Sequence, residues 1–253
     1  MSPLPSLTVL ASPTIANLAV PTIAIPEVIF DGRASVNFLR RTQLPKPLLD
    51  ATAIRRVLPP APRLARDALL EIIRDESASV RDGNDVVGLR NQILYVALAH
   101  LAARRGPGAW QAQISTFDLN SPQDLPRTRL DKAGLNQARR ALTTPNTGGC
   151  SILGPSIQRA TLRIANFGGP TLLVVLSDFE LFDADPSGAL AQLRNAPSSE
   201  TVAISLTNDP PSVLVGSRIH AVRIRSGDEV SSLARVLVEA AQRCASRPLG
   251  DEQ

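Results

Sequence analysis

The sequence predicts an α/β fold with a doubly wound, mostly parallel central sheet and helices on both faces. Strand-like and helix-like segments alternate from about Arg66 onward, which is the pattern of such sheets. Thr171 to Leu176 is almost purely apolar, as is typical of a parallel strand buried on both faces. Glu229 to Cys244 carries its apolar residues on one stripe at helical spacing. We therefore expect ligands to bind at the carboxyl ends of the strands.

The elements are predicted in chain order from local patterns. Ala68 to Arg74 is an apolar run that indicates the first strand, and a helix follows over Val86 to Arg105, capped by Asn84 or Asp85 and stopped at Gly106-Pro107. Trp110 to Thr116 alternates apolar and polar residues, which indicates a half-buried strand. The remaining predictions are helices over 131–142 and 154–165, strands over 171–176, 201–206 and 219–224, and a last helix over 229–244.

Proline content marks off the N-terminal part of the chain. Ten of the 21 prolines fall before residue 63. Proline donates no backbone hydrogen bond, so the extended pieces here are predicted to be edge strands or an arm rather than a central sheet. We divide the chain into a Pro-rich extended appendage over 1–65, the α/β domain over 66–245 and a C-terminal tail over 246–253.

Composition excludes several classes of protein. With 253 residues, 43% hydrophobic and 20% charged, the chain is expected to be globular. Its apolar runs fall short of the roughly 20 residues needed to cross a bilayer, and no basic residue precedes Arg33, so we expect neither a membrane span nor a signal peptide. The two distant cysteines favour a reducing, cytoplasmic location. The net charge of +4 comes from scattered arginines with only 3% aromatics, so we expect no nucleic-acid binding.

An Asp-x-Ser-x-Ser run directly follows the first predicted strand. Its residues Asp75, Ser77 and Ser79 are hard oxygen donors in alternate positions, which can point toward one centre. Hard oxygens with few charges suit an octahedral Mg²⁺ that keeps several waters. Taken alone, the run fits helix capping at least as well.

Two further loops are predicted to reach the same edge of the sheet. The apolar strand over 171–176 ends in Ser177-Asp178, which adds a second carboxylate. Between the two strands lies the glycine-containing loop 148–157, which leads into a helix and offers the hydroxyl of Ser151. Three loops with oxygen donors therefore converge in the predicted fold.

Together these residues resemble the von Willebrand factor A (VWA) domain and its metal-ion-dependent adhesion site (MIDAS). That site combines an Asp-x-Ser-x-Ser loop with a Thr from a second loop and an Asp from a third. The family's Gly-Gly-Thr-x-Leu-Gly-x-Ala-Leu resembles residues 149–157, and its Leu-x-Thr-Asp-Gly resembles residues 175–179. The resemblance covers roughly 66–245 and includes the order of the elements.

The resemblance implies a role for each ligand. Ser77 and Ser79 would bind the metal directly, Asp75 and Asp178 directly or through water, and Ser151 would replace the family's Thr. Cys150 and Thr147 are alternatives to Ser151 if the loop is shifted. Serine lacks the methyl group that restricts threonine, and Phe179 stands where the family has glycine. The expected cofactor is a divalent cation, Mg²⁺ first, with Mn²⁺ and Ca²⁺ as alternatives.

The function implied is that of a metal-dependent protein-interaction module rather than an enzyme. A partner's Asp or Glu would complete the coordination of the cation. Cytoplasmic VWA proteins often act beside AAA-type ATPases of the MoxR group or in multiprotein assemblies, which suggests such a partner. One alternative is a metal-independent structural subunit that uses the fold as a scaffold. Another is a metal-dependent hydrolase with Glu76 or Glu180 as the base.

The other candidate residues have ordinary interpretations. Asp31-Gly32-Arg33-Ala34-Ser35 imitates the metal loop but lacks its middle hydroxyl, and is interpreted as a turn. His100 lies in a helix and His220 in a strand, where each is interpreted as a packed or half-exposed residue. Asp183 and Asp185 are predicted to lie in a solvated turn.

Overall fold

A six-stranded sheet forms the centre of the molecule. The structure is a computed structural model that describes residues 57–77, 79–80, 86–104, 106–117, 125–143 and 151–247. The strand order is β3-β2-β1-β4-β5-β6, and the edge strand β3 runs antiparallel to β2 while the other neighbours are parallel. The strands are Ala68–Arg74 (β1), Trp110–Thr116 (β2), Leu125–Arg129 (β3), Thr171–Ser177 (β4), Glu200–Leu206 (β5) and Ile219–Ile224 (β6).

Within the described residues, five helices cover the two faces of this sheet. They are Val86–Ala102 (α1), Lys132–Thr143 (α2), Gly154–Phe167 (α3), Pro186–Arg194 (α4) and Val230–Ser246 (α5). One apolar core contains buried residues of α1, α2 and α5, and a second contains buried residues of α3 and α4. The predicted doubly wound α/β fold is therefore confirmed.

The centre of the sheet places two loops side by side. Every residue of β1 and β4 is buried, as their apolar sequences require. The strands pair in parallel with Arg74 opposite Leu176, and the Asp75 amide donates to the Leu176 carbonyl oxygen at 2.8 Å. The chain proceeds from β1 to one side and from β4 to the other, so a topological switch point lies between their carboxyl ends.

Two elements are absent from the sequence-based prediction. The β3 strand has only Leu125 buried, so it lacks the apolar alternation of a half-buried strand. The α4 helix has nine residues and begins with a proline, and its Asp185 cap marks the start. The ends of the predicted helices and strands also differ from the observed ends by up to three residues. The largest difference is in α1, which ends at Ala102 rather than Arg105. Asn84 and Asp85 lie outside the described residues.

The described end of the N-terminal segment packs on the domain. Leu58 and Leu64 are buried in the same core as α1 and α5. The Pro60 carbonyl oxygen accepts from Gln242 Nε2 at 2.7 Å, and the Pro59 carbonyl oxygen contacts His100 Nε2 at 2.8 Å. Residues 1–56, including the sequence at 31–35, and residues 248–253 lie outside the described part, so the appendage and the tail stay predictions.

None of the described helices combines the length and the apolar character that crossing a bilayer requires.

Candidate metal centre

Asp75 is the centre of a hydrogen-bond cluster at the end of β1. Its side chain is completely buried. Oδ1 accepts from the Ser77 amide at 2.8 Å, and Oδ2 accepts from Ser177 Oγ at 2.6 Å and from Ser151 Oγ at 3.4 Å. Three loops therefore meet on one carboxylate.

The surroundings of Asp75 disfavour an isolated negative charge. Burial raises the pKa of the Asp75 carboxyl above its ordinary value, and hydrogen bonds from Ser177 and Ser77 offset only part of this effect. The negative charge of Asp178 raises the same pKa further. A dication beside the two carboxylates would reverse this balance, because it stabilises both charged forms.

Ser77 and Ser79 supply neighbouring hydroxyl groups from the same loop. Their Oγ atoms are 3.1 Å apart. Ser77 is buried, whereas Ser79 is exposed. The cluster therefore has one side against the core and one side open to solvent, which a site for an external ligand needs.

Asp178 lies beside this cluster in a constrained turn. It is 5% exposed, and its Oδ1 accepts from the Glu180 amide at 3.0 Å. The residue between them, Phe179, has a φ of 59°, in the left-handed region where glycine has no steric penalty. This explains why glycine is usual at this position of the motif. Phe179 is partly buried against the α3 and α4 core.

The Ser151 loop is fastened to the chain that follows Asp178. Ser151 is completely buried, and its carbonyl oxygen accepts from the Phe182 amide at 2.8 Å. The Asp183 carboxylate accepts from the Leu153 and Gly154 amides, each at 2.8 Å, at the start of α3. Two of the three ligand loops are thus joined to each other at their backbones.

Asp183 and Asp185 lie in the predicted turn between β4 and α4, where Asp183 is partly exposed and Asp185 is exposed, and each has a further role as a helix cap. Asp183 caps α3 as described, and Asp185 caps α4 by accepting from the Gly188 amide at 2.8 Å. Helix N-termini present unpaired amide groups and a positive dipole end, and carboxylates satisfy both. Cys150 and Thr147, the alternatives to Ser151, lie outside the described residues.

The structure brings all the predicted ligands to one edge of the sheet. Within the described residues, no group of three or more histidine, cysteine or carboxylate side chains is placed to hold a metal. Three of the five candidate donors are serine hydroxyl groups and two are carboxylates. Such hard, mostly neutral oxygens fit Mg²⁺ or a similar cation. The set is Asp75, Ser77, Ser79, Ser151 and Asp178.

Sequence reasoning did not assign roles to two residues around this centre, Ser177 and Arg90. Ser177 bonds Asp75, and the buried Arg90 contacts both the main chain of Asp75 and the side chain of Glu76. A signal for Arg90 exists in the sequence. It precedes Ile93, Leu94 and Ala97 at helical spacing, which places an arginine on the apolar face of α1.

Solved structures share this fold, although no family model and no curated protein matches the sequence. A von Willebrand factor type A structure from Catenulispora acidiphila matches 72% of this chain at 15% identity and a TM-score of 0.50. Proximal thread matrix protein 1 of the mussel byssus with a zinc-occupied MIDAS motif matches 72% at 18% identity and a TM-score of 0.51.

A third structure shares the architecture. The pilus adhesin SpaC of Lactobacillus rhamnosus GG matches 74% of this chain at 10% identity and a TM-score of 0.54. This chain spans less than half of each of these proteins, covering 43%, 47% and 31% of the three chains in the order given. At such identities the likeness concerns the fold. The chain therefore has the fold of a von Willebrand factor A domain.

Proposed function

We propose that this protein is a metal-dependent protein-interaction module that binds an acidic side chain of a partner through a divalent cation. The observation that carries the proposal is the buried carboxylate of Asp75 at the switch point of the sheet. This carboxylate accepts hydrogen bonds from the Ser77 amide and from the hydroxyl groups of Ser151 and Ser177. Burial and Asp178 both disfavour its charge. A site that gathers negative charge and hydroxyl oxygens at this position is suited to a cation.

Each residue has a defined part in this proposal. Ser77, Ser79 and Ser151 would hold the cation with neutral oxygens, and Asp75 and Asp178 would act directly or through water. A cation so held supplies a positive charge that is incompletely neutralised and a coordination position that a carboxylate can occupy. The exposed side of Ser79 marks the direction from which a partner would approach.

Mg²⁺ is the proposed cation, with Mn²⁺ and Ca²⁺ as the alternatives to test. Oxygen ligands with two carboxylates at most are the usual environment of Mg²⁺ in proteins. The mussel thread matrix protein carries zinc in its MIDAS motif. Zinc therefore belongs in the same titration series.

A binding role is proposed in preference to hydrolysis. The two carboxylates considered as general bases are already engaged. Glu76 pairs with the buried Arg90 at 2.5 Å, and Glu180 Oε1 accepts from Asn208 Nδ2 at 3.0 Å. A base must reach the proton that it removes, and neither group is oriented toward the Asp75 cluster by these contacts.

The alternative is a metal-independent scaffold. Its support is that Asp75 already accepts hydrogen bonds on both oxygens from within the protein. Such a protein would bind its partner equally well after removal of divalent ions. An ATPase of the MoxR group as the partner stays a prediction.

Chelation distinguishes the two functions. We expect partner capture from the native cell to be lost in the presence of a chelator and restored by Mg²⁺. Capture that survives chelation would support the scaffold instead.

The variant Ser79→Ala tests the cation site directly. It removes one exposed hydroxyl group and should weaken Mg²⁺ binding by at least about 10-fold in calorimetry. The control is Ser232→Ala, which changes an exposed serine on α5.

Phe182 is the aromatic side chain most exposed near the centre. It is 71% exposed, while its amide bonds the Ser151 carbonyl oxygen. We expect Phe182→Ser to weaken partner binding by about 10-fold, because exposed aromatics often dominate interfaces, and to leave Mg²⁺ affinity unchanged. Leu162→Ser is the control, since Leu162 is 65% exposed on α3, about 12 Å along the helix from its first residue. Equal losses for both variants would contradict the prediction.

A further inference from the structure

A buried charge network lies directly behind the loop that carries Asp75, Ser77 and Ser79. Arg90 on α1 donates from Nη1 to the Asp75 main-chain oxygen at 2.7 Å and from Nη2 to Glu76 Oε1 at 2.5 Å. The Arg90 side chain is 0% exposed and that of Glu76 is 6% exposed. One guanidinium group therefore fixes two consecutive residues of the ligand loop.

Arg74 extends the network to a third element. Its Nη1 lies 3.2 Å from Glu76 Oε1 and donates to the Leu142 carbonyl oxygen at 3.4 Å, and its Nη2 donates to the Ala141 carbonyl oxygen at 3.1 Å. Both acceptors are in the last turn of α2. The loop is thus attached to β1, α1 and α2, all of which contribute to the core.

The front of the same loop is restrained as well. The Asp75 amide donates to the Leu176 carbonyl oxygen of β4, and the two Asp75 carboxylate oxygens accept from the Ser77 amide and Ser177 Oγ. Widening the loop would break contacts on both sides. Freeing the Asp75 carboxylate for two-oxygen binding would compete with its existing hydrogen bonds.

These restraints bear on which cation fits. Mg²⁺ requires near-octahedral ligands at about 2.0–2.1 Å, whereas Ca²⁺ takes about 6–8 oxygens at about 2.3–2.6 Å and often binds both oxygens of a carboxylate. Selectivity between the two depends on ligand number and on the flexibility of the site. A loop held on both sides disfavours the larger cation.

We propose that Arg90 is a positioning residue that makes the candidate centre select a small cation, Mg²⁺ or Mn²⁺, over Ca²⁺. It acts through the Asp75 main-chain oxygen and the Glu76 carboxylate, without contacting the cation. Lysine is not equivalent to it, because Arg90 uses two separate nitrogens of its planar guanidinium fork for the two acceptors, whereas lysine has a single nitrogen. The inference rests on the proposed function, since it requires that the centre bind a divalent cation.

The experiment compares Mg²⁺ and Ca²⁺ affinities by calorimetry in the full-length wild type, Arg90→Lys and Arg163→Lys. Arg163 is a matched control, because it pairs with the buried Glu71 from the α3 side of the sheet and also donates to Ser115 Oγ at 2.8 Å. Glu71 lies four residues before Asp75 in the chain, about 13 Å along an extended strand. Thermal unfolding of each variant measures the purely structural cost.

We expect the wild type to bind Mg²⁺ more tightly than Ca²⁺. Arg90→Lys should lower Mg²⁺ affinity by about 10-fold with a clearly smaller loss for Ca²⁺, and Arg163→Lys should leave the ratio unchanged. Glu76→Gln, which keeps the shape of the side chain, should shift the ratio in the same direction and serves if Arg90→Lys does not fold.

The other outcomes separate the two proposals. A wild type that binds no divalent cation defeats the proposed function and, with it, this inference. A wild type that binds Ca²⁺ as tightly as Mg²⁺ overturns the selectivity and leaves the proposed function standing. A variant that loses affinity for both cations equally shows that Arg90 only supports the fold.

Discussion

Replacing Asp75 with asparagine is expected to abolish the stabilisation of this protein by Mg²⁺ while preserving the fold without the cation. Asparagine keeps an oxygen for the Ser77 amide, and its amide group can donate to the hydroxyls of Ser177 and Ser151 in place of accepting from them. The substitution also removes a buried carboxyl group, whose pKa is raised by burial and by the negative charge of Asp178. The cation-free variant should therefore unfold at or above the wild-type temperature.

The loss should be large and easy to measure. A ligand at about 100 times its Kd stabilises a protein by about 2.7 kcal/mol, which corresponds to roughly 5–10 °C in a domain of this size. Thermal unfolding with and without Mg²⁺ measures the shift. Asp209→Asn, in an ion pair with Arg223 and 82% exposed at its side chain, should keep the full shift. An undiminished shift in Asp75→Asn would remove Asp75 from the ligand set.

The sequence was sufficient to predict the elements that have a regular apolar pattern and the candidate ligands that form a motif. β1 and β4 are continuous apolar runs, so their positions and the polar residues at their ends could be predicted. The strand β3 could not be predicted, because four of its five residues are exposed or partly exposed and its place is set by pairing with β2. Local patterns do not encode such long-range pairing.

The support of the site was harder to predict than its ligands. Asp183 accepts hydrogen bonds from the amides of Leu153 and Gly154, which precede it by about thirty residues and come near it only in the folded chain. The Asp75 carboxylate also proves completely buried, although a motif in a loop suggests a position at the surface. The burial of Asp75 and the identity of its hydrogen-bond donors depend on the switch point between β1 and β4, and therefore on the topology of the sheet.

Glu76→Ala is expected to be the most destabilising single change at this end of the sheet. It leaves the guanidinium groups of Arg74 and Arg90, which are 1% and 0% exposed, without the carboxylate between them. Removal of one member of a buried ionic network costs about 3–5 kcal/mol. Urea unfolding measures the loss. The control Glu200→Ala breaks an ion pair with Arg243, whose side chain is 46% exposed. It should lower the free energy of unfolding by less than about 1 kcal/mol.

A triple variant with Arg74→Met, Glu76→Leu and Arg90→Met shows whether the network contributes net stability. Burying charges costs free energy that their attraction roughly repays, so apolar replacement of a whole network is often neutral. Arg74 also satisfies two carbonyl oxygens of α2, whose loss costs about 1 kcal/mol each. We therefore expect the triple variant to be more stable than Glu76→Ala. The reverse order would mean that these charges stabilise the fold themselves, and that their hold on the ligand loop is secondary.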